Sequence, residues 1–348
     1  MRPRGREREM HESLKRIGEF GFIGRIARTP LFRPSGVIQG IGDDASVFEP
    51  PEGKVMVLTT DMLVEGVHFS VGVGLELVGR KSLAVNLSDI AAMGAEPLDA
   101  YVSIGVSQDI TLADLEEFYR GLCHVAREHR VNILGGDTTR SPGPLIVSIA
   151  VTGFASKEEI VLREGASPGD LIYVTGFLGD SAAGLDLLRR KRPWPEEKAS
   201  ALLKAHLDPR PHIEEGRFLA KSGWVRAMMD VSDGVASDLR HICARSSVGA
   251  VLREEWIPMS GAFREYCERF SLDPLELALG GGEDYCLLAA LSRDAQGKLE
   301  EEFERKFKRP IWKIGEITSQ KDLLVIRKDG RTISLPEMGW DSFRDDRF

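Results

Sequence analysis

Hydrophobic positions recur along the chain with two different periods, and the change from one to the other marks its elements. Leu14, Ile17, Phe20 and Ile23 fall on roughly one face of a predicted N-terminal helix, which with its arm occupies residues 1–30 and leads into a proline-containing loop. From Val37 the texture changes to short β-type runs, VIQGI, VMVLTT, LDAYVSIGVS and PLIVSIAVTGF. Two longer helical patterns separate them, LVGRKSLAVNLSDIAAMG and LADLEEFYRGLCHVAREH. The second has Thr111 with Asp114 three residues later, a spacing at which each side chain satisfies the other's backbone N–H at a helix start.

The regular pattern lapses across GFASKEEIVLREGASPGD, where charge, glycine and proline collect. A domain boundary is expected there, with one domain over 31–155 and a second over 156–348. In the second, LIYVTG reads as a strand and SAAGLDLLRRK as a helix starting just after Gly179 and Asp180, and helices follow through ASALLKAHL and HIEEGRFLAKSG. Next come a strand ending at Met229, a helix through GVASDLRHICARS, a strand VGAVLR, and the turn GGGED leading into YCLLAAL. A solvated helix in AQGKLEEEFERKFKRP and the strands WKIGEI and DLLVIRK close the chain. Strands and helices mixed at these lengths indicate an α/β or α+β fold, and 348 residues exceed what one core usually serves.

Charge narrows the partners. A net charge of -8 argues against an extended basic surface, so no nucleic-acid partner is expected. The apolar run VSIAVTGF gives way quickly to Ser156, Lys157 and Glu158, too soon to cross a bilayer, and no membrane partner is expected. MRPRGREREMHESLKRIG carries no apolar segment of a secretory leader, which makes a cytoplasmic location the expectation. Cys123, Cys243, Cys267 and Cys286 have no paired spacing, as reduced thiols in or near the core would not.

The chemistry-bearing feature is a set of aspartates, each in a Gly-, Ser- or Thr-rich stretch beside an apolar run. They are Asp43 and Asp44 in GIGDDASV, Asp61 in LTTD, Asp89 in NLSD, Asp137 in LGGDTT, and Asp230 and Asp233 in MDVSDG. One such aspartate is ordinarily a turn or helix cap. Seven in like settings suggest convergence, and two carboxylates about 4 Å apart repel by roughly 4 kcal/mol at an effective dielectric of 20. A cation has to offset that, and a donor set of hard oxygens without a His or Cys cluster points to Mg²⁺, which commonly bridges carboxylates to substrate phosphates.

Neither a G-x-x-x-x-G-K-[ST] loop nor a G-x-G-x-x-G turn opening a helix is present. A nucleotide here is therefore expected to be held through metal ions and short turns, LGGDTT and VSDG among them. Arg163 is a candidate phosphate clamp, since guanidinium matches phosphate oxygens with two parallel donors. His68, seven residues after Asp61, is the one histidine within a motif.

In order, GIGDDA, TTDMLVEGVHF, KSLAVNLSDIAAMGAEP, GGDTT, EGASPGDLIYVTGFLGDSAAGL, DVSDGVASDL and GGGEDY resemble the thiamine-monophosphate kinases, a branch of the aminoimidazole-ribonucleotide synthetase-like superfamily. The resemblance runs over about residues 18 to 343. It implies transfer of the γ-phosphoryl group of ATP to thiamine monophosphate, giving thiamine diphosphate and ADP. It puts Asp44, Thr59, Thr60, Asp61, Asp89, Asp137, Asp230 and Asp233 at magnesium positions, and Tyr119, Gly136, Asp137, Arg163 and Ser232 at nucleotide positions. His68, Glu283 and Trp340 fall on acceptor positions, with Asp43 supporting Asp44. The implied fold has an N-terminal ATP- and magnesium-binding α/β domain whose sheet pairs with that of a second subunit into a barrel, making a homodimer, and a C-terminal α/β domain completing the site.

Within the superfamily, selenophosphate synthetase wants a reactive residue near the N-terminus, whereas the first cysteine here is Cys123. The hydrogenase-maturation enzyme ends in a cysteine tail, and this chain ends DSFRDDRF. Aminoimidazole-ribonucleotide synthetase remains an alternative, although VEGVHF fits the thiamine enzyme better. A metal-dependent phosphohydrolase and a non-catalytic nucleotide-binding module also remain open.

Overall fold

A period of two in burial builds the first part of the chain: in Ile146–Ser156 every second residue is buried, and Val55, Val57, Thr59 and Leu63 point inward from Lys54–Val64. The computed structural model describes residues 37–39, 43, 46–48, 53–335 and 337–340, so the expected N-terminal helix and Asp44 lie outside the described residues. Strands β1 (Val37–Gln39), β2 (Ser46–Phe48), β3 (Lys54–Val64), β4 (Glu96–Val106), β5 (Asn132–Arg140) and β6 (Ile146–Ser156) form one sheet in the order β1-β2-β3-β6-β4-β5. Its pairs are antiparallel except β4 with β5. The stretch LGGDTT, expected as a turn, is the body of β5, where Gly136 at φ 145 lies opposite Val102. A Cβ there would come within 1.7 Å of the Val102 carbonyl oxygen, so the glycine serves close strand approach.

Helices α1 (Leu75–Ala92) and α2 (Leu112–Glu128) cover the inner face of this sheet. Thr111 caps α2 with Asp114 as expected, and Asp114 Oδ2 accepts from the Thr111 backbone N–H at 2.8 Å. The two helices cross at backbone contact, since a Cβ on Gly121 would sit 1.9 Å from the Glu76 carbonyl oxygen. Unlike the amphipathic α2, α1 is buried nearly all round because later elements of the chain pack on its other side. Its buried surface includes Lys81, Ser82, Asn86 and Ser88, polar groups that need partners inside the protein.

The remaining elements are β7 (Leu171–Val174), α3 (Asp180–Arg190), α4 (Glu196–Leu207), α5 (Ile213–Ser222), β8 (Val225–Asp230), α6 (Val235–Ser246), β9 (Gly249–Arg253), α7 (Gly261–Phe270), α8 (Pro274–Gly280), β10 (Leu287–Leu291), α9 (Lys298–Phe307), β11 (Trp312–Thr318), β12 (Leu323–Ile326) and β13 (Thr332–Ser334). The strands make a second sheet in the order β13-β12-β9-β11-β7-β10-β8. Its central strands β7 and β10 are buried throughout, which explains their unbroken apolar runs. Tyr173, Met228, Leu287 and Ala289 join the core of the first sheet and α1, whereas Ile172, Val174, Met229 and Leu288 pack under α3, α6, α7 and α8. Helix α1 is thereby shared by both halves. Among the described residues no helix is long and apolar enough to cross a membrane.

Candidate active site

The shared helix brings acids from both halves to one cleft of about 1110 Å³. Asp61 comes from β3, Asp89 from the last turns of α1, and Asp230 from the end of β8. Each is fixed by a neighbour that the fold supplies. The Thr59 hydroxyl donates to Asp89 Oδ2 at 2.5 Å, the Asp61 backbone N–H donates to Asn86 Oδ1 at 3.0 Å, and the Ser88 hydroxyl donates to Asp230 Oδ2 at 2.6 Å.

Removal from water makes these carboxylates costly to ionise. Burial, and after it the charge of Asp230, pushes Asp61 up to about 7. Burial followed by the charges of Asp61 and Asp230 raises Asp89 well above the ordinary carboxylate range, although the hydrogen bond from Thr59 opposes the shift. Burial raises Asp230 as well, against the Ser88 hydrogen bond. Asp230 Oδ1 is buried without a hydrogen-bond partner among the described residues. Crowded hard-oxygen donors with such an atom fit a divalent cation. Among the described residues no three Asp, Glu, His or Cys side chains are drawn together tightly enough to hold one by themselves. The chemistry of the donors, carboxylate and hydroxyl oxygens, is that of a Mg²⁺ site, in which one or two carboxylates are completed by phosphate oxygens and water.

Beside the acids, Asp43 Oδ2 accepts from the Arg163 backbone N–H at 3.0 Å, and Asp43 Oδ1 lies 3.5 Å from Arg163 Nε. This anchors the arginine in the cleft wall. Burial pushes the Asp43 carboxyl up to about 6, against its hydrogen bond and charge contact with Arg163. The turn VSDG precedes α6 as expected, and Asp238 Oδ2 accepts from Gly234 N–H at 3.1 Å, holding Ser232 and Asp233 at the helix start.

The rest of the cleft lining is mixed. Leu185, Leu272, Leu277, Met338 and Trp340 add apolar and aromatic surface, and Asp186, Asp273 and Glu276 add further acids. His68 Nδ1 accepts from Val64 N–H at 3.0 Å, which leaves Nε2 to carry the proton of the neutral ring. Glu283 lies in the left-handed region at φ 65, with its N–H donating to Ser232 O at 2.7 Å. Its carboxylate meets Lys81 Nζ at 2.6 Å and His206 Nδ1 at 3.1 Å. Burial alone would raise Glu283; the charge of Lys81 and the hydrogen bond from His206 outweigh it and hold the group well below the ordinary range.

The cleft thus gathers Thr59, Thr60, Asp61, Asp89, Arg163, Ser232, Asp230, Asp233, His68, Glu283 and Trp340. Tyr119, Gly136 and Asp137 do not line it. Tyr119 lies on α2, edge-on to Phe118 with ring centroids 5.4 Å apart, and Gly136 and Asp137 lie on the exposed edge strand β5. Sequence reasoning missed Lys81, Asn86 and Ser88. Their signal is polar residues within a helix buried all round. It also missed helices α7 and α8, which bring Leu272, Asp273, Glu276 and Leu277 to the wall, although Ser260 and Asp273 cap them and Pro274 occupies a first-turn position.

Comparison with known proteins bears on this geometry. The family described as AIR synthase related protein, N-terminal domain, matches residues 42–155, and its C-terminal domain matches residues 167–328. The thiamine-monophosphate kinase of Escherichia coli is 37% identical over 328 residues, which is 94% of this chain and 98% of that protein. Among solved structures, AaThiL complexed with AMPPCP and TMP superposes with a TM-score of 0.82 at 33% identity, covering 94% of this chain and 98% of the other. The thiamine-monophosphate kinase of Stenotrophomonas maltophilia gives 0.74 at 33% identity, covering 89% and 95%.

Proposed function

The chain belongs to the AIR synthase related protein family, among its thiamine-monophosphate kinases, and from that premise we propose that it transfers the γ-phosphoryl group of ATP to thiamine monophosphate, yielding thiamine diphosphate and ADP. The observation that carries the reading is the convergence of Asp61, Asp89 and Asp230 in one cleft whose lining also holds Trp340, apolar side chains and further acids. Thiamine monophosphate presents a phosphate and a cationic ring system, which suit a cleft lined by both kinds of surface.

Asp61, Asp89, Asp230 and Asp233, with Thr59, Thr60, Asp44 and Asp137, are the residues we assign to magnesium. When bound, magnesium neutralises phosphate charge during in-line transfer. Arg163 and Ser232 hold the nucleotide phosphates, and His68, Glu283 and Trp340 hold the acceptor. The acceptor phosphate, with a second pKa of about 6, is already largely ionised at neutral pH, so the residues need only align it and exclude water. No side chain is assigned as a general base.

We further propose a homodimer. Leu58, Met62 and Tyr101 stand exposed on the outer face of the first sheet, a surface suited to burial against a second copy. Tyr119, Gly136 and Asp137 are assigned to the nucleotide through that pairing. In this division of labour 31–155 binds ATP and magnesium and dimerises, 156–348 completes the site, and the reaction belongs to the cytoplasm. Incubation with ATP and Mg²⁺, with and without thiamine monophosphate, tests the reading. ADP formed only with the acceptor supports it, and phosphate released regardless of acceptor makes the protein a hydrolase.

A further inference from the structure

The Glu283 carboxylate is gripped from both halves of the chain by groups that do not line the cleft themselves. Lys81, on α1 and 2% exposed, meets Oε1 at 2.6 Å, and His206, on α4 and 4% exposed, meets Oε2 at 3.1 Å through Nδ1. The same Nδ1 lies 3.1 Å from the Ser181 hydroxyl oxygen. Burial, and next the charge of Lys81, lowers the pKa of His206, so the ring is neutral near pH 7. A neutral ring has one N–H to give, and facing a carboxylate it must be the one on Nδ1. The remaining restraint is the Glu283 backbone at φ 65, held by its N–H bond to Ser232 O. A non-glycine residue keeps that conformation only where its surroundings fix it.

A buried Lys–Glu pair adds little net stability, because desolvation offsets its attraction. It does fix geometry. Glu283 still keeps about a quarter of its side chain open toward the cleft, at 24% exposure, so the grip leaves it available to a ligand. We propose that Lys81 and His206 are positioning residues, which hold the Glu283 carboxylate in one orientation for the ring system of the acceptor. The inference rests on the proposed role of Glu283 as an acceptor contact.

The test is steady-state kinetics on the full chain, varying each substrate in turn, with thermal unfolding of every variant. His206→Leu is expected to raise KM for thiamine monophosphate about tenfold, with KM for ATP changed less than about twofold and kcat less than about threefold. His206→Asn, whose amide nitrogen can take the place of Nδ1, is expected to bring KM for the acceptor back to within about threefold of wild type. Lys81→Met is expected to raise the same KM at least as far, and if that variant fails to fold the two His206 substitutions decide alone. An unchanged acceptor KM in both His206 variants overturns the inference. So does a parallel loss for both substrates that tracks a fall in Tm and is not restored by asparagine, which is what a merely structural histidine gives. No turnover by the wild-type protein removes the proposed function and this inference together, whereas turnover with unchanged acceptor KM in the variants removes the inference alone.

Discussion

Ser88, on the shared helix α1, donates a 2.6 Å hydrogen bond to Asp230 at the end of β8, so one buried contact ties an acid of the second sheet to the helix that carries Asp89. Ser88→Ala leaves a buried carboxylate without that donor. The expected cost is about 1–3 kcal/mol in denaturant unfolding, with a fall in turnover as Asp230 loses its orientation. Unchanged stability and turnover would contradict the positioning role.

Asp89→Asn separates stability from function. An asparagine oxygen still accepts from the Thr59 hydroxyl, and a neutral amide replaces a carboxylate that burial and the charges of Asp61 and Asp230 make costly to ionise. In chelator at neutral pH the variant is expected to unfold at a temperature no lower than wild type. Turnover at saturating Mg²⁺ is expected to drop by about a hundredfold or more, and the rise in Tm on adding Mg²⁺ to shrink. Wild-type rates in this variant would defeat the assignment of the acids.

His212 gives the pH dependence its sign. The ring is buried with its Nδ1 2.6 Å from the Thr175 hydroxyl oxygen, and burial lowers its pKa from 6.5 to about 4, with Glu215 opposing and Arg309 and Arg210 assisting. Between those values the unfolded chain binds the proton and the folded protein refuses it. Its contribution is therefore intact above 6.5 and lost as pH falls toward 4, by on the order of 3 kcal/mol in all. Denaturant unfolding of wild type against His212→Asn isolates this effect, since the acids of the cleft titrate in both proteins. The wild type is expected to lose stability faster across the window; parallel curves would refute the shift.

Trp340 lines the cleft, with its backbone N–H donating to Asp233 O at 3.1 Å. Trp340→Ala is expected to raise KM for thiamine monophosphate about three- to tenfold, as loss of one aromatic contact would, and to leave KM for ATP nearly unchanged. An equal rise for ATP would move the tryptophan to the nucleotide.

Local signals carried much of this account and long-range pairing the rest. Helix α1 was legible from its apolar density, and the start of α2 from the Thr111 and Asp114 pair. The aspartates were legible one by one, but their meeting depends on β8 joining β10 and on α1 packing between the sheets, which no local pattern encodes. LGGDTT looked like a turn because its glycines disfavour strand, and only the parallel partner β4 makes it one. Lys81 and Ser88 were passed over because their partners, Glu283 and Asp230, are more than a hundred residues away.

The fate of the transferred group tests the central claim most directly. With ATP labelled in its γ-phosphoryl group, thiamine monophosphate and Mg²⁺, the label should appear in thiamine diphosphate, one equivalent for each ADP formed, and chelation of the metal should stop the transfer. Label appearing in inorganic phosphate at the same rate with or without thiamine monophosphate would contradict it.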